Sequence, residues 1–153
     1  GSSPHCKDSS DRIIVATTIS LSSGGGLLED GYALGRILRK EGATVIAEQG
    51  NVCASSCAVA FLGGERRAVE DGAAIMFHAP YYTGANSLGQ QTTNCDVGEV
   101  NLERLNAYYS EMVGKDAGDR LFERTMSYCT ADDGWVVSGS NAAELYDIAT
   151  DRF

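Results

Sequence analysis

Two adjacent serines, Ser55 and Ser56, stand in a run of small residues, Cys53-Ala54-Ser55-Ser56-Cys57-Ala58. A serine hydroxyl is a weak nucleophile at neutral pH and attacks a carbonyl only when a neighbouring base takes its proton. The chain has two histidines. His5 lies in a polar N-terminal stretch, whereas His78 closes the apolar run Met76-Phe77 directly ahead of Ala79-Pro80, so His78 is the histidine placed to act as a base. An acid that holds the imidazole in one tautomer would come from Asp132 or Asp133, in the turn before Trp135. Negative charge on the attacked carbonyl needs N–H donors, and the run Gly24-Gly25-Gly26 offers them from bare backbone. Each feature also has an ordinary structural role: a serine caps a helix, a glycine run turns a strand into a helix, and Asp-Asp-Gly makes a solvated turn. The combination is what points to nucleophilic catalysis.

Other chemistries fit less well. The glycine run lacks the G-x-G-x-x-G spacing of a dinucleotide site, and no phosphate-binding lysine follows it. Cys53 and Cys57 have metal-like spacing but no second closely spaced ligand pair, so neither a metal nor any other cofactor is expected. Cys57 could itself be a thiol nucleophile beside His78. The five cysteines are 6, 53, 57, 95 and 129, and an odd count leaves one without a partner in the chain. Cys95 with Cys129, and Cys6 with Cys53, are the candidate bridges, which would leave Cys57 a buried free thiol. Sequence does not fix this connectivity.

These residues need a scaffold. The 153 residues suffice for one domain with one core, expected over 13–153 behind a flexible segment, 1–12. Hydrophobic residues make up 43% and charged residues 22%, an ordinary globular balance. A net charge of −9 argues against nucleic acid or an anionic membrane surface as partner. No apolar run approaches the roughly 18 residues of a membrane span. The β-branched run at 13–21 reads as a buried strand leading into the glycine turn. Apolar or small residues at 27, 28, 31, 34, 35 and 38 then give a helix over 27–40, with Glu29 and Asp30 in its first turn. Short strands are expected at 44–47, 67–69, 73–77 and 135–137. Helices are expected after the serines and at 97–113, 119–126 and 141–146, and loops at 50–55 and 83–96. Strands alternating with helices predict an α/β fold with a mainly parallel sheet.

The order of four of these segments resembles the serine-peptidase branch of the ClpP/crotonase superfamily. They are Ser22-Ser23-Gly24-Gly25 leading into a helix, Ala54-Ser55-Ser56-Cys57-Ala58, and the strand ending His78-Ala79-Pro80. The last is Asp133 ahead of Trp135-Val136-Val137-Ser138 and Ala142-Ala143-Glu144-Leu145. The resemblance implies stacked ββα units, Ser56 as nucleophile, His78 as general base and Asp133 (or Asp132) as the orienting acid. It further implies an oxyanion hole from the N–H groups of Gly24 or Gly25 and of Cys57. A peptide or protein substrate and a homo-oligomer are implied with them, and a catalytically silent binding or assembly domain of this fold is the alternative. The stretch CASSCAVAFLGGERR is similar to exported bacterial ClpP-like proteins, and with five cysteines this gives the expectation of a periplasmic or secreted protein. Family members carry further strands ahead of the S-x-G-G segment. Here 21 residues precede Ser22, which implies a chain shortened at its N-terminus or a fold completed by a partner.

Overall fold

The computed structural model describes residues 2–7, 13–129, 134–139 and 141–151. In chain order they form β1 (Ser2–Lys7), β2 (Ile13–Ser20), α1 (Leu28–Lys40), β3 (Thr44–Ala47), β4 (Val52–Ala54), α2 (Ser56–Phe61), β5 (Arg66–Val69) and β6 (Ala74–Phe77). The series continues with β7 (Tyr82–Ala85), β8 (Gln91–Asn94), α3 (Glu99–Val113), α4 (Lys115–Met126), β9 (Trp135–Ser138) and α5 (Asn141–Glu144). One sheet has the order β1-β2-β3-β5, with β2, β3 and β5 parallel and β1 antiparallel on the edge. The other has the order β4-β6-β9, in which β4 and β6 are parallel and β9 runs against β6, Phe77 facing Trp135. Successive strands therefore alternate between the sheets: β3 then β4 before α2, β5 then β6 before the hairpin and α3. Strands covered on both faces carry apolar residues, and Val45, Ala47, Ile75 and Phe77 are buried.

Three elements differ from the sequence reading. Residues 2–7, expected to be irregular, pair with β2. Residues 52–54, read as loop, form β4, a three-residue strand too short to show a period. The expected loop at 83–96 holds the hairpin β7–β8, every residue of which is exposed. With no buried face it has no apolar alternation to read. Its turn is closed by the Asn86 side chain, whose Oδ1 accepts from the backbone N–H groups of Leu88 and Gln90.

Helix α2 is six residues long and buried from Cys57 to Phe61. Helix α1 lies close against it because Gly31 and Gly35 present no side chain there. A Cβ on Gly31 would come 2.7 Å from the Ser56 carbonyl oxygen, and one on Gly35 would overlap the Tyr108 hydroxyl. That hydroxyl donates to the Val59 carbonyl at 2.6 Å. The C-terminal end of α2 is held by two guanidinium groups. Arg39 donates to the carbonyls of Leu62, Gly63, Gly64 and Met112. Arg67, only 4% exposed, donates to those of Leu62, Gly64, Asp147 and Ile148. Burial pushes Arg67 down to about 10, so it stays cationic at neutral pH, where a positive charge suits a helix C-terminus.

Two disulfides form. Cys95 bonds to Cys129, with Cα atoms 5.8 Å apart, and ties the foot of the hairpin to the end of α4. Cys53 bonds to Cys57 rather than to Cys6, and Cys57 is therefore no free thiol. The strand-to-helix turn after β4 brings their Cα atoms within 5.1 Å, inside the range a bridge requires.

Two outcomes follow from this packing. Arg67→Ala leaves the Asp147 and Ile148 carbonyls without a side-chain donor and those of Leu62 and Gly64 with Arg39 alone, and should cost about 3 kcal/mol or more, read from the urea unfolding midpoint against the parent. Thiol titration of the unfolded, unreduced chain should find one thiol, that of the cysteine outside both bridges.

Candidate active site

A cleft of about 580 Å³ opens between the glycine turn, the start of α2, the end of β6 and helix α3. Ser55 lies on it, at the junction where β4 ends and α2 begins, with φ 60° and ψ −121°. Positive φ is uncommon for residues other than glycine and costs on the order of 1–3 kcal/mol. Ser55 occupies the N-cap position of α2, yet its side chain makes no capping hydrogen bond. The ordinary reason for a serine at this place is thus absent. Its backbone N–H donates to the Met76 carbonyl at 2.9 Å, two residues ahead of His78.

The glycine turn reaches Ser55 because its first residues pair with β4. The Ser23 N–H donates to the Val52 carbonyl, and the Ala54 N–H to that of Ser23. This pairing carries Gly25 against the serine: a Cβ there would lie 2.8 Å from the Ser55 Cβ and 3.3 Å from its Oγ. Gly25 also has φ 122°, which only glycine adopts readily. Its N–H points to the Ser23 Oγ at 3.2 Å, while Gly24 and Gly26 line the cleft directly.

His78 follows β6 and lines the same cleft as Ser55. Its Nδ1 lies 2.9 Å from the Ala79 carbonyl oxygen. A carbonyl only accepts, so this bond places the ring proton on Nδ1 and leaves Nε2 as the lone-pair nitrogen. Tyr81 packs on the imidazole with ring centroids 5.6 Å apart.

The structure divides the expected residues between two surfaces. Ser55 and His78 share the cleft, but Ser56 does not reach it. Ser56 faces a separate hollow of about 150 Å³ beside Leu21, Asp30, Leu34 and Cys57. The cause is the turn at Ser55, which makes Ser56 the first residue of α2 and rotates its side chain towards Gly26 and Gly31. Cys57 borders that same hollow and is disulfide-bonded, which removes it as a thiol nucleophile. Asp132 and Asp133 lie outside the described residues. They immediately precede Gly134 and Trp135, and Trp135 pairs with Phe77, the neighbour of His78.

Apolar side chains form much of the remaining wall: Val59, Phe77, Val97, Leu105 and the rings of Tyr32 and Tyr109. Tyr81 and Tyr82 stand on the cleft as well, 37% and 57% exposed. Burial pushes the Tyr32 hydroxyl up to about 12 and raises that of Tyr109 further. On the cleft wall Arg104 makes a bidentate pair with Glu29, and this hydrogen bonding holds the Glu29 carboxyl below its usual range. The positions of Tyr32, Arg104 and Tyr109 carry no sequence signal beyond helical spacing, and only the fold brings them to the site.

No family model matches the chain, and no curated protein matches it in sequence. Solved structures do match. The membrane-bound stomatin-specific protease 1510-N, in complex with a substrate peptide, superposes with a TM-score of 0.62 at 19% identity, over 88% of this chain and 58% of that one. A serine-to-alanine variant of the same protease gives 0.63 at 18%, over 88% and 62%. ClpP1 from Listeria monocytogenes gives 0.58 at 20%, over 89% and 72%. The chain thus spans about three fifths of the length of the stomatin-specific protease. These likenesses establish a ClpP-like fold. Among the described residues no helix is long and apolar enough to cross a membrane.

The contact between Gly25 and Ser55 has a measurable consequence. Gly50 also has positive φ, but a Cβ there would meet nothing within 4 Å. Gly50→Ala should cost about 1 kcal/mol from backbone strain alone. Gly25→Ala should cost about 2 kcal/mol or more, because strain and a clash with Ser55 coincide. Urea midpoints of the two variants check the difference.

Proposed function

We propose that this ClpP-like chain is a serine hydrolase acting on peptides, in which Ser55 rather than Ser56 is the nucleophile. The observation that carries the reading is Ser55 itself: a non-glycine residue at φ 60°, free of any capping bond, on the cleft it shares with His78. Strained backbone of this kind concentrates at functional sites, and a sharp strand-to-helix turn is a recurrent way to present a nucleophile. Ser55 Oγ attacks the substrate carbonyl as His78 Nε2 takes the hydroxyl proton. That proton then passes to the leaving amine, and water hydrolyses the acyl-enzyme by the same route. With Ser55 as nucleophile the following N–H belongs to Ser56, not Cys57. It joins the N–H of Gly24, which lines the cleft, as the oxyanion donors; the other candidate, the Gly25 N–H, is directed at Ser23 Oγ. Asp133, with Asp132 as the alternative, is the orienting acid. The pairing of Trp135 beside Phe77 supports this by bringing the following strand alongside His78.

Peptide substrates fit a cleft with apolar walls and exposed tyrosines at its rim. A stacked arrangement of ββα units is supported by the alternation of β3, β4, α2 and β5, β6 between the two sheets. Assembly into a homo-oligomer is supported by the apolar side chains of Leu27, Leu34 and Ile37, at the start of α1 and along it, exposed at 72%, 40% and 57%. Two disulfides support an oxidising compartment, periplasmic or extracellular.

A fluorophosphonate probe with mass mapping tests the reading. Labelling is expected on Ser55, lost in Ser55→Ala and retained in Ser56→Ala. His78→Ala should slow turnover by about 10⁴-fold or more, since nucleophile and base act as a unit. Asp133→Asn should cost less than His78→Ala, because the Ala79 carbonyl also holds the Nδ1 proton. Labelling on Ser56 alone would return the nucleophile to that residue. Absence of labelling on both would leave the catalytically silent, peptide-binding reading.

A further inference from the structure

We infer that the Cys53–Cys57 disulfide is a positioning device for Ser55 rather than a general stabiliser of the fold; the inference rests on Ser55 being the nucleophile. The bridge joins the middle of β4 to the first turn of α2 and encloses Ala54, Ser55 and Ser56, so the serine stands at the apex of a closed loop. Cys53 is fully buried in its strand, paired with Ile75 of β6 on one side and bridged to Ser23 on the other. Cys57 is 8% exposed on a helix packed under α1. Both ends of the loop are thus fixed to rigid elements, and the residue between them is the one that holds φ 60°.

The two bridges of this chain differ in what they can do. A disulfide acts on the unfolded chain by closing a loop, and its effect grows with the length closed. Cys95–Cys129 spans a sequence separation of 34, and Cys53–Cys57 one of only 4. On that ground the longer bridge governs overall stability. The shorter one restricts the strand-to-helix turn and keeps the Ser55 hydroxyl where β6 delivers His78. An error of about 1 Å in a reacting group can lower a rate by about 10²-fold, so a local restraint here acts mainly on turnover.

The experiment compares two double variants of the full oxidised chain, Cys53→Ala/Cys57→Ala and Cys95→Ala/Cys129→Ala. Each is examined by thermal unfolding, fluorophosphonate labelling rate and amide exchange at Ser55. The first variant should lose about 10²-fold in labelling rate and exchange its Ser55 amide faster, because the bond to the Met76 carbonyl is no longer held in register. Its melting temperature should fall less than that of the second variant, whose labelling rate should stay within about threefold of the parent. Cys53→Val/Cys57→Ala fills the volume left at the buried position and should show the same loss, which separates positioning from a cavity. Unchanged labelling and unchanged Ser55 exchange in a folded Cys53→Ala/Cys57→Ala protein would overturn the inference. Failure of the oxidised parent to label would instead overturn the hydrolase reading, and amide exchange still decides whether the bridge orders Ser55.

Discussion

At Ser55 the chain leaves a sheet and enters a helix without the glycine that such a turn would ordinarily use. The conformation costs on the order of 1–3 kcal/mol and persists only where its surroundings determine it several times over. They do so here. The N–H of Ser55 is bound to Met76 in one strand, and the Ala54 N–H is bound to Ser23 in another. The Ser55 carbonyl accepts from Val59 at the start of the helical ladder. Gly25 closes the remaining side, and the Cys53–Cys57 bridge ties the two arms of the turn. Remove the turn, and Ser55, Met76 and the glycine segment have no common point.

Much of the rest of the fold keeps α2 from moving. A helix of six residues has little stability of its own, so its place must come from outside. Gly31 and Gly35 let α1 approach to backbone contact, Tyr108 anchors the Val59 carbonyl, and Arg39 and Arg67 fill the acceptors at and beyond its last turn. The guanidinium groups sit at the negative end of the helix and the cleft at its positive end. A buried arginine, usually an expensive residue, is tolerated because its donors find backbone carbonyls and its charge meets that dipole.

How far this could be read from sequence depends on the element. Helix α1 was legible in full outline, because its apolar spacing and acidic first turn are strong signals. So were β2, β3, β6 and the position of His78 at the end of β6. Which of Ser55 and Ser56 faces the cleft was not. Both serines sit among small residues, and a one-residue change in where the strand stops exchanges the side chain that faces the cleft for the one that faces α1. The same ambiguity concealed the Cys53–Cys57 bridge. With 50–55 read as loop, Cys53 had no fixed place; on β4 it stands across the turn from Cys57. The hairpin β7–β8 left no pattern at all, since every one of its residues is exposed.

The imidazole shows how local backbone can share a role usually assigned to a side chain. An orienting acid does two things for a histidine base: it selects the tautomer and stabilises the cation formed when the base is protonated. The Ala79 carbonyl accepts the Nδ1 proton and so performs the first without any acid. It carries only a partial charge and contributes less to the second. A site arranged in this way keeps its geometry when the acid is lost and gives up mainly the stabilisation of the imidazolium. Tautomer selection is then built into the backbone that follows β6, and under the proposed reading an acid would add only charge to the imidazole.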